Sequence, residues 1–378
     1  MKPIRILQVV GSLNNGGSQA MIMNLYENID KSLIQFDFII NYPNENFYAD
    51  RIKELGGEVY VLPNFSFSNS LNFVKEWKKF LKHHPEYRII HGHVRSTAAI
   101  YLRIAKEYGL ITISHSHSIS NGKGFSAQIK NILQFPIRFE AEYLLACSKE
   151  AGAWLYGKKT LEKDNFYIIK NAIDTQKFSF NQSKRLAIRK EYNLENNFVV
   201  GNVGRFTKPK NHTFLIDIFY EIYKKSDNVI LMLVGDGELM NDIKKKVQKL
   251  GIVDRVIFTG IRSDISDLLQ AMDVFLFPSL YEGLGMVTIE AQAADLACVV
   301  SDRVPNETNL TNRIEYNSLD YSPTKWAENV LKLKNNYIRS DNKGVIIKAG
   351  YDIEDTSKWI QSFYLKLNED YYQRKELR

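Results

Sequence analysis

Residues 274–291 read VFLFPSLYEGLGMVTIEA, and the way this stretch divides decides the fold. Val274–Phe277 is apolar without alternation, β-branched or aromatic, and too short for a helix. That is how a strand buried on both faces of a parallel sheet reads. Pro278 and the Gly283-x-Gly285 turn end the run. A helical pattern follows from Met286, so the turn delivers free backbone N–H groups at a helix start. Glu282 lies at the mouth of the turn and Glu290 inside the helix. Two carboxylates beside the amides of Gly283, Leu284, Gly285 and Met286 suit a ligand rich in hydroxyls, because a carboxylate accepts paired hydrogen bonds from a vicinal diol. The plainer reading of the same pair is a helix cap and a helix-surface glutamate.

Working outward, the strand-then-helix unit repeats along the chain. Apolar runs occur at Ile4–Val10, Phe36–Ile40, Val59–Leu62, Arg88–His91, Ile111–His115 and Leu144–Cys147. A second set runs through Phe198–Val203, Val229–Val234, Val256–Thr259 and Ala297–Ser301. Amphipathic stretches such as Ser70–His83 and Asn211–Lys225 lie between them. Alternation of this kind predicts an α/β architecture with doubly wound parallel sheets. The alternation pauses between Asn171 and Asn197, which places a boundary between two Rossmann-like halves. The expected division is 1–180, 181–355 and a terminal segment 356–378.

The 378 residues are 44% hydrophobic and 25% charged, which excludes a disordered, collagenous or coiled-coil chain. Lys and Arg total 50 against 43 Asp and Glu, a net +7. This permits phosphate-bearing or membrane-surface partners. No RNP-like or zinc-finger pattern accompanies the aromatics, so no nucleic-acid partner is expected. Cys147 and Cys298 are far apart in apolar runs and read as buried thiols in a reducing compartment. There is no run of about 18 apolar residues, and Ile6–Tyr26 reads as strand, glycine turn and helix instead of a signal peptide. A cytoplasmic protein is expected.

Other strand ends carry candidate chemistry. The first strand runs into a glycine turn, with Gly16-Gly17-Ser18-Gln19 opening a helix, where backbone can approach a phosphate. The spacing is neither GxGxxG nor a P-loop, and a simple tight turn explains it equally. His115-Ser116-His117 closes another strand; the two rings are expected on opposite faces, with one directed to a ligand. His91-x-His93 has the same form and reads as structural. Arg205 follows the strand ending at Val203, and Lys210 precedes a helix, the placement of a diphosphate clamp. Gly235 follows VILMLV, either at a ligand or at a turn that needs a positive φ.

These segments, taken in order, resemble the GT-B glycosyltransferases, most closely glycosyltransferase family four. The resemblance runs through the early Gly-Gly turn, the His after a strand, CSKE at Cys147–Glu150, IIKNAIDTQKF at Ile168–Phe178, GRFTKPKN at Gly204–Asn211, VGDGEL, FTG and PSLYEGLGMVTIEA. The Glu-x7-Glu from Glu282 to Glu290 is its most specific part. GYDIEDTSKWIQSFY resembles the family's closing helices, which return to the N-terminal domain. The resemblance implies a nucleotide-sugar donor bound by the second half and an acceptor bound by the first, and the small hydrophobic and planar groups at Ile261–Arg262 suit uracil, so UDP is expected in preference to GDP. Arg205 and Lys210 would hold the diphosphate and Glu290 the ribose. Glu282 and the amides of Gly283–Met286 would touch the donor sugar. Ile261 and Arg262 would lie near the base, Gly16 and Gly17 would close on the phosphate, and His117, not His115, would reach the sugar. Transfer with retention, without metal or other cofactor, is implied.

Departures from the family's pattern are Gln19 for a usual Glu, Ala172 for Gly in NGID, Asp295 in place of a Gly before the next strand, and Val304-Pro305-Asn306-Glu307. The last form resembles the capsular and exopolysaccharide subgroup and implies a glycan or lipid-diphosphate-linked sugar as acceptor, at the inner membrane face. Basic and apolar residues on Lys75–His84 and on the segment from Lys123 to Arg138, with Lys130 between, add a peripheral membrane expectation. The alternatives are a nucleotide-sugar hydrolase or epimerase on the same fold and a non-catalytic partner subunit. A nicotinamide dehydrogenase lacks its GxGxxG with a following acidic residue.

Overall fold

Each apolar run becomes a strand. In the computed structural model, which describes residues 2–14, 16–118, 131–334 and 339–376, these strands build two wholly parallel sheets. The first holds β1 (Ile4–Val9), β2 (Ile34–Ile40), β3 (Val59–Val61), β4 (Ile89–Gly92), β5 (Ile111–Ser116), β6 (Tyr143–Ala146) and β7 (Phe166–Ile168). Its order is β3-β2-β1-β4-β5-β6-β7. The second holds β8 (Phe198–Val203), β9 (Val229–Val234), β10 (Val256–Gly260), β11 (Val274–Phe277), β12 (Ala297–Ser301) and β13 (Ile314–Asn317), in the order β10-β9-β8-β11-β12-β13. Both sheets are covered on two sides. Successive residues of β1, Ile6 and Leu7, enter different apolar cores, as do Val199 and Val200 of β8. Burial on both faces is why these runs lack alternation.

Two strands were not anticipated. β7 (Phe-Tyr-Ile) and β13 (Ile-Glu-Tyr-Asn) are edge strands and only part-buried. One is too short and the other too polar to register as a continuous apolar run.

The chain divides into Met1–Ala172 with Ile353–Arg378, and Ile173–Asp352. The expected boundary after residue 180 therefore falls late. Ile173 and Phe178 pack with Ile289, Ala293, Ile346 and Tyr351 of the second unit. The Ile173 amide donates to Tyr351 O at 2.9 Å, and the Thr175 hydroxyl donates to the Asp352 carboxylate. The helix Ile353–Glu376 belongs to the first unit, where Ile360, Phe363, Tyr364 and Leu367 enter the core beneath β1 and β2.

In each sheet the strand order reverses once, between β1 and β4 and between β8 and β11. Open α/β sheets bind ligands beyond the carboxyl ends of strands at such switch points. The glycine turn after β1, Arg205 after β8 and the Glu282 turn after β11 all lie there.

Candidate functional site

In the second unit, the loops leaving β8 and β11 are tied together before any ligand enters. The Asn211 side chain donates to Pro278 O at 3.0 Å, and the Leu280 amide to Pro209 O at 2.8 Å. Asn211 holds φ +57 at the start of the helix His212–Lys225, a conformation Asn tolerates better than most residues. Within this frame Lys210 Nζ donates to both oxygens of Glu282, at 2.7 and 2.9 Å, and lies 4.8 Å above the Phe277 ring. The Glu282 side chain is only 8% exposed. The expected diphosphate ligand and the expected sugar ligand are thus partners of one another. Arg205 is different. It is exposed, and although its carbonyl accepts from the Thr207 amide at 2.8 Å, its guanidinium makes no hydrogen bond or ion pair with the described residues.

Gly285 caps the helix Met286–Ala293 at φ +78, and no side chain caps the helix start. Its first amides are therefore open to an acceptor. Gly283 meets nothing within 4 Å of where a Cβ would be, so that part of the turn is accessible. Glu290 is half-buried, and burial pushes its pKa up to about 7, with Lys177 acting in the opposite sense.

Gly235 is needed by the backbone. It holds φ +130, and a Cβ there would lie 2.2 Å from Gly204 O. The turn reading of this residue holds, and it brings β9 against the Arg205 loop. Ile261 is 70% exposed after β10. Arg262 is occupied by a two-bond pair with Asp264 at 2.8 and 2.7 Å, so its cation is already partly neutralised. All these residues sit at the carboxyl ends of four adjacent strands, β10, β9, β8 and β11, or on the helix after β11.

In the first unit, Gly16 precedes the helix Gly17–Asn28, which has no side-chain cap and no acidic residue in its first turn. Gly17 faces open space. Gln19, in place of the family's Glu, turns back on the loop: its Nε2 donates to Ser12 O at 3.2 Å, and its Oε1 accepts from Ser18 at 2.9 Å. Here that side chain holds the turn together.

The expectation of opposite-facing histidine rings is corrected. His115 and His117 stack at 4.2 Å, and His91 and His93 at 4.3 Å. Side chains alternate along a strand with period two, so residues two apart share a face. β4 and β5 are neighbours, which assembles all four rings. Nor is the His91–His93 pair separate from the candidate ligand group. His93 Nδ1 lies 2.8 Å from His117 Nε2, and His93 Nε2 lies 2.8 Å from Gln8 Oε1. His91 Nδ1 is 2.6 Å from the Tyr364 hydroxyl. Burial holds the rings neutral; His117, also facing Arg95, is lowered to about 3. Arg95 itself donates to Ser118 O at 2.9 Å and lies over Trp154. Ligand nitrogens of His91, His93 and His115 fall within 4.8 Å of one another, a spacing worth weighing for a transition ion. Gln8 and Tyr364 carry no site signal in the sequence, and His93, read there as structural, belongs to this cluster. The signal was there in part, as two neighbouring strands that both end in His-x-His.

The segment expected at a membrane is divided. Lys123, Phe125, Ile129 and Lys130 lie outside the described residues. Ile137 is buried, whereas Ile132, Phe135 and Phe139 are 73%, 54% and 64% exposed. On the helix Ser70–His83, Trp77, Phe80 and Leu81 are buried in the core, while Lys75, Lys78, Lys79 and Lys82 face outward together with Leu71, which is 87% exposed. No helix among the described residues is long and apolar enough to cross a membrane.

Residues 15–177 match the family described as Glycosyltransferase Family 4, and residues 184–342 the family described as Glycosyl transferases group 1. EpsF of Bacillus subtilis is 30% identical over 365 residues, covering 93% of each chain. An Escherichia coli UDP-Gal:α-D-GlcNAc-diphosphoundecaprenol α-1,3-galactosyltransferase is 26% identical, over 80% of this chain and 84% of its own. Among solved structures, Anabaena HepE in complex with UDP superposes with a TM-score of 0.70 over 100% of both chains, at 18% identity. That likeness shows the fold alone.

Proposed function

The chain belongs to the group 1, family 4 glycosyltransferases of the GT-B fold, and on that premise we propose that it moves a hexose from a UDP-sugar to a lipid-diphosphate-linked or glycan acceptor in cell-surface polysaccharide synthesis. The observation that carries the reading is Arg205. An exposed guanidinium without a partner among the described residues follows β8 at the β8–β11 switch point, and the neighbouring strand β11 leads into an uncapped helix N-terminus. Open cationic and amide donors on one rim suit a diphosphate. Support for UDP comes from the relatives, one named as using UDP-Gal and one solved with UDP. The acceptor class follows the diphosphoundecaprenol substrate named for the first of these.

In this proposal Arg205, Lys210 and the Gly283–Met286 amides take up the charge that develops on the departing diphosphate, the role a divalent ion fills elsewhere. The bond from the anomeric carbon to the diphosphate oxygen breaks while the acceptor oxygen bonds to the same carbon on the same face. The acceptor proton passes to the departing phosphate oxygen. Glu282 orients the sugar, Glu290 accepts from the ribose hydroxyls, and His117 contacts a sugar hydroxyl. Gly16 and Gly17 supply amides to the phosphate.

Thermal-shift measurements against UDP, GDP, ADP and a panel of nucleotide sugars test this, because a ligand that binds only the folded state raises the midpoint by mass action. UDP and one or more UDP-sugars should stabilise the protein, and Arg205→Ala should abolish the shift. Stabilisation by GDP instead would overturn the base assignment. UDP-sugar hydrolysis without transfer to any acceptor would favour the hydrolase.

A further inference from the structure

We infer that Tyr364, Gln8 and His93 form a hydrogen-bond chain that locks the tautomer of His117, keeping its proton on Nε2 and leaving Nδ1 as a bare acceptor for a hydroxyl of the donor sugar. The inference rests on the reading of His117 as a sugar contact.

The direction of the chain follows from the groups themselves. The Gln8 amide nitrogen donates to the Tyr364 hydroxyl at 3.3 Å, which leaves its carbonyl oxygen toward His93 Nε2 at 2.8 Å. A carbonyl oxygen only accepts, so His93 Nε2 carries the hydrogen. Burial and the neighbouring rings keep His93 neutral, and a neutral imidazole has one N–H. His93 Nδ1 is therefore bare and accepts from His117 Nε2 at 2.8 Å. His117 is also neutral, so its own Nδ1 is bare. That atom is buried and has no partner among the described residues. With the Gln8 amide reversed, every bond would invert, and His117 would bury an N–H without an acceptor. A buried unsatisfied donor is the costlier arrangement.

The consequence is selectivity. A bare Nδ1 accepts from a hydroxyl and repels phosphate oxygen, so His117 discriminates for a hydroxyl-bearing sugar. Gln8, His93 and Tyr364 are positioning residues, placed in β1, just past β4 and in the helix Ile353–Glu376. The observations favour this chain over a metal centre at the same histidines. The rings lie face to face, with His91 and His115 at 10° and His115 and His117 at 26°. Both nitrogens of His93 are already engaged.

Long-range proton–nitrogen NMR of the full chain, untagged and labelled at histidine, reads each tautomer directly. His117 should be wholly the Nε2–H form from pH 5.5 to 8. Gln8→Leu should let it populate both forms, and Tyr364→Phe should shift it partway, so a folding failure of the first variant leaves the second to decide. An Nδ1–H form in the unaltered protein, or no change in either folded variant, overturns the lock. Stoichiometric Co²⁺ binding with ligand-field absorption that is lost in His115→Gln also overturns it, in favour of a metal site. Adding UDP-glucose separates the two readings. If the tautomer is locked but the His117 nitrogen signals do not move at saturation, the sugar-contact assignment fails while the lock stands.

Discussion

Lys210 and Glu282 neutralise one another across 2.7 Å, so a diphosphate that recruits Lys210 must compete with a part-buried carboxylate. Removing either partner has a defined sign. Lys210→Ala deletes the proposed charge-assisted contact to the departing diphosphate; turnover should fall at least about tenfold, because such a bond is worth about 1.5–3 kcal/mol and about 1.4 kcal/mol is tenfold. Glu282→Gln frees the ammonium while spoiling the proposed sugar contact. UDP should bind as tightly or more tightly by calorimetry, and transfer should fall. Weaker UDP binding in this variant would show that Glu282 does not compete for Lys210. Glu290 makes a pH prediction. Its pKa is raised to about 7, so below that pH it is largely protonated and can accept fewer hydrogen bonds from a ribose diol. UDP affinity should therefore rise as pH increases through about 7, and Glu290→Gln should flatten that rise, leaving only the titration of the nucleotide phosphate. An identical pH profile in the two proteins contradicts the ribose assignment. None of these pairings was legible in the sequence, which supplies residue types at strand ends but not which charge meets which.

At the scale of elements, the two glycine turns of the second unit answer to different constraints. Gly235 carries a positive φ and backs onto the Gly204 carbonyl, whereas Gly283 has open space around it. Gly235→Ala forces a strained conformation and a backbone clash, a cost of at least about 1–3 kcal/mol. The thermal midpoint should drop by several degrees, at roughly 2–4 °C per kcal/mol for a domain of about 150–250 residues. Gly283→Ala should leave the midpoint within about a degree and alter only nucleotide-sugar binding. Equal midpoints for the two variants would remove the backbone explanation for Gly235. The turns themselves, and the buried strands ahead of them, were readable because apolar runs and glycine are local signals. The edges were not. β7 and β13 pair on one side only and carry too little apolar sequence to stand out. The histidine face was misjudged for a different reason. A period of two puts His115 and His117 on one face whatever the phase, and only the pairing of β4 with β5 brings His91 and His93 to them.

For the whole molecule, the two-sheet division was legible from the pause in alternation, while its position was not, because Ile173–Phe178 is assigned by packing and not by composition. The proposed clamp of Arg205, Lys210 and backbone amides predicts that transfer persists in excess EDTA; loss of activity that Mg²⁺ or Mn²⁺ restores would return the diphosphate to a metal. A last prediction concerns where the molecule works. The net charge of +7 favours anionic surfaces, but charge alone gives weak, salt-sensitive adhesion. A second contribution is available in the first unit, where Ile132, Phe135 and Phe139 are exposed and Arg138 lies over the Phe135 ring at 4.4 Å. Aromatic and aliphatic groups beside a cation suit the boundary between headgroups and acyl chains. The lysines of the helix Ser70–His83 add charge with little apolar contact, since Trp77, Phe80 and Leu81 are committed to the core and Leu71 alone of its large apolar side chains is fully exposed. The protein should sediment with vesicles containing anionic phosphatidylglycerol and be released by high salt. Phe135→Ser with Phe139→Ser should weaken sedimentation at least about tenfold, because each buried apolar side chain contributes about 1.5–3 kcal/mol. Reversal of Lys244 and Lys245, on a helix of the second unit, should have a smaller effect. Equal losses from the two changes, or no sedimentation at low salt, would leave a soluble glycan as the better acceptor.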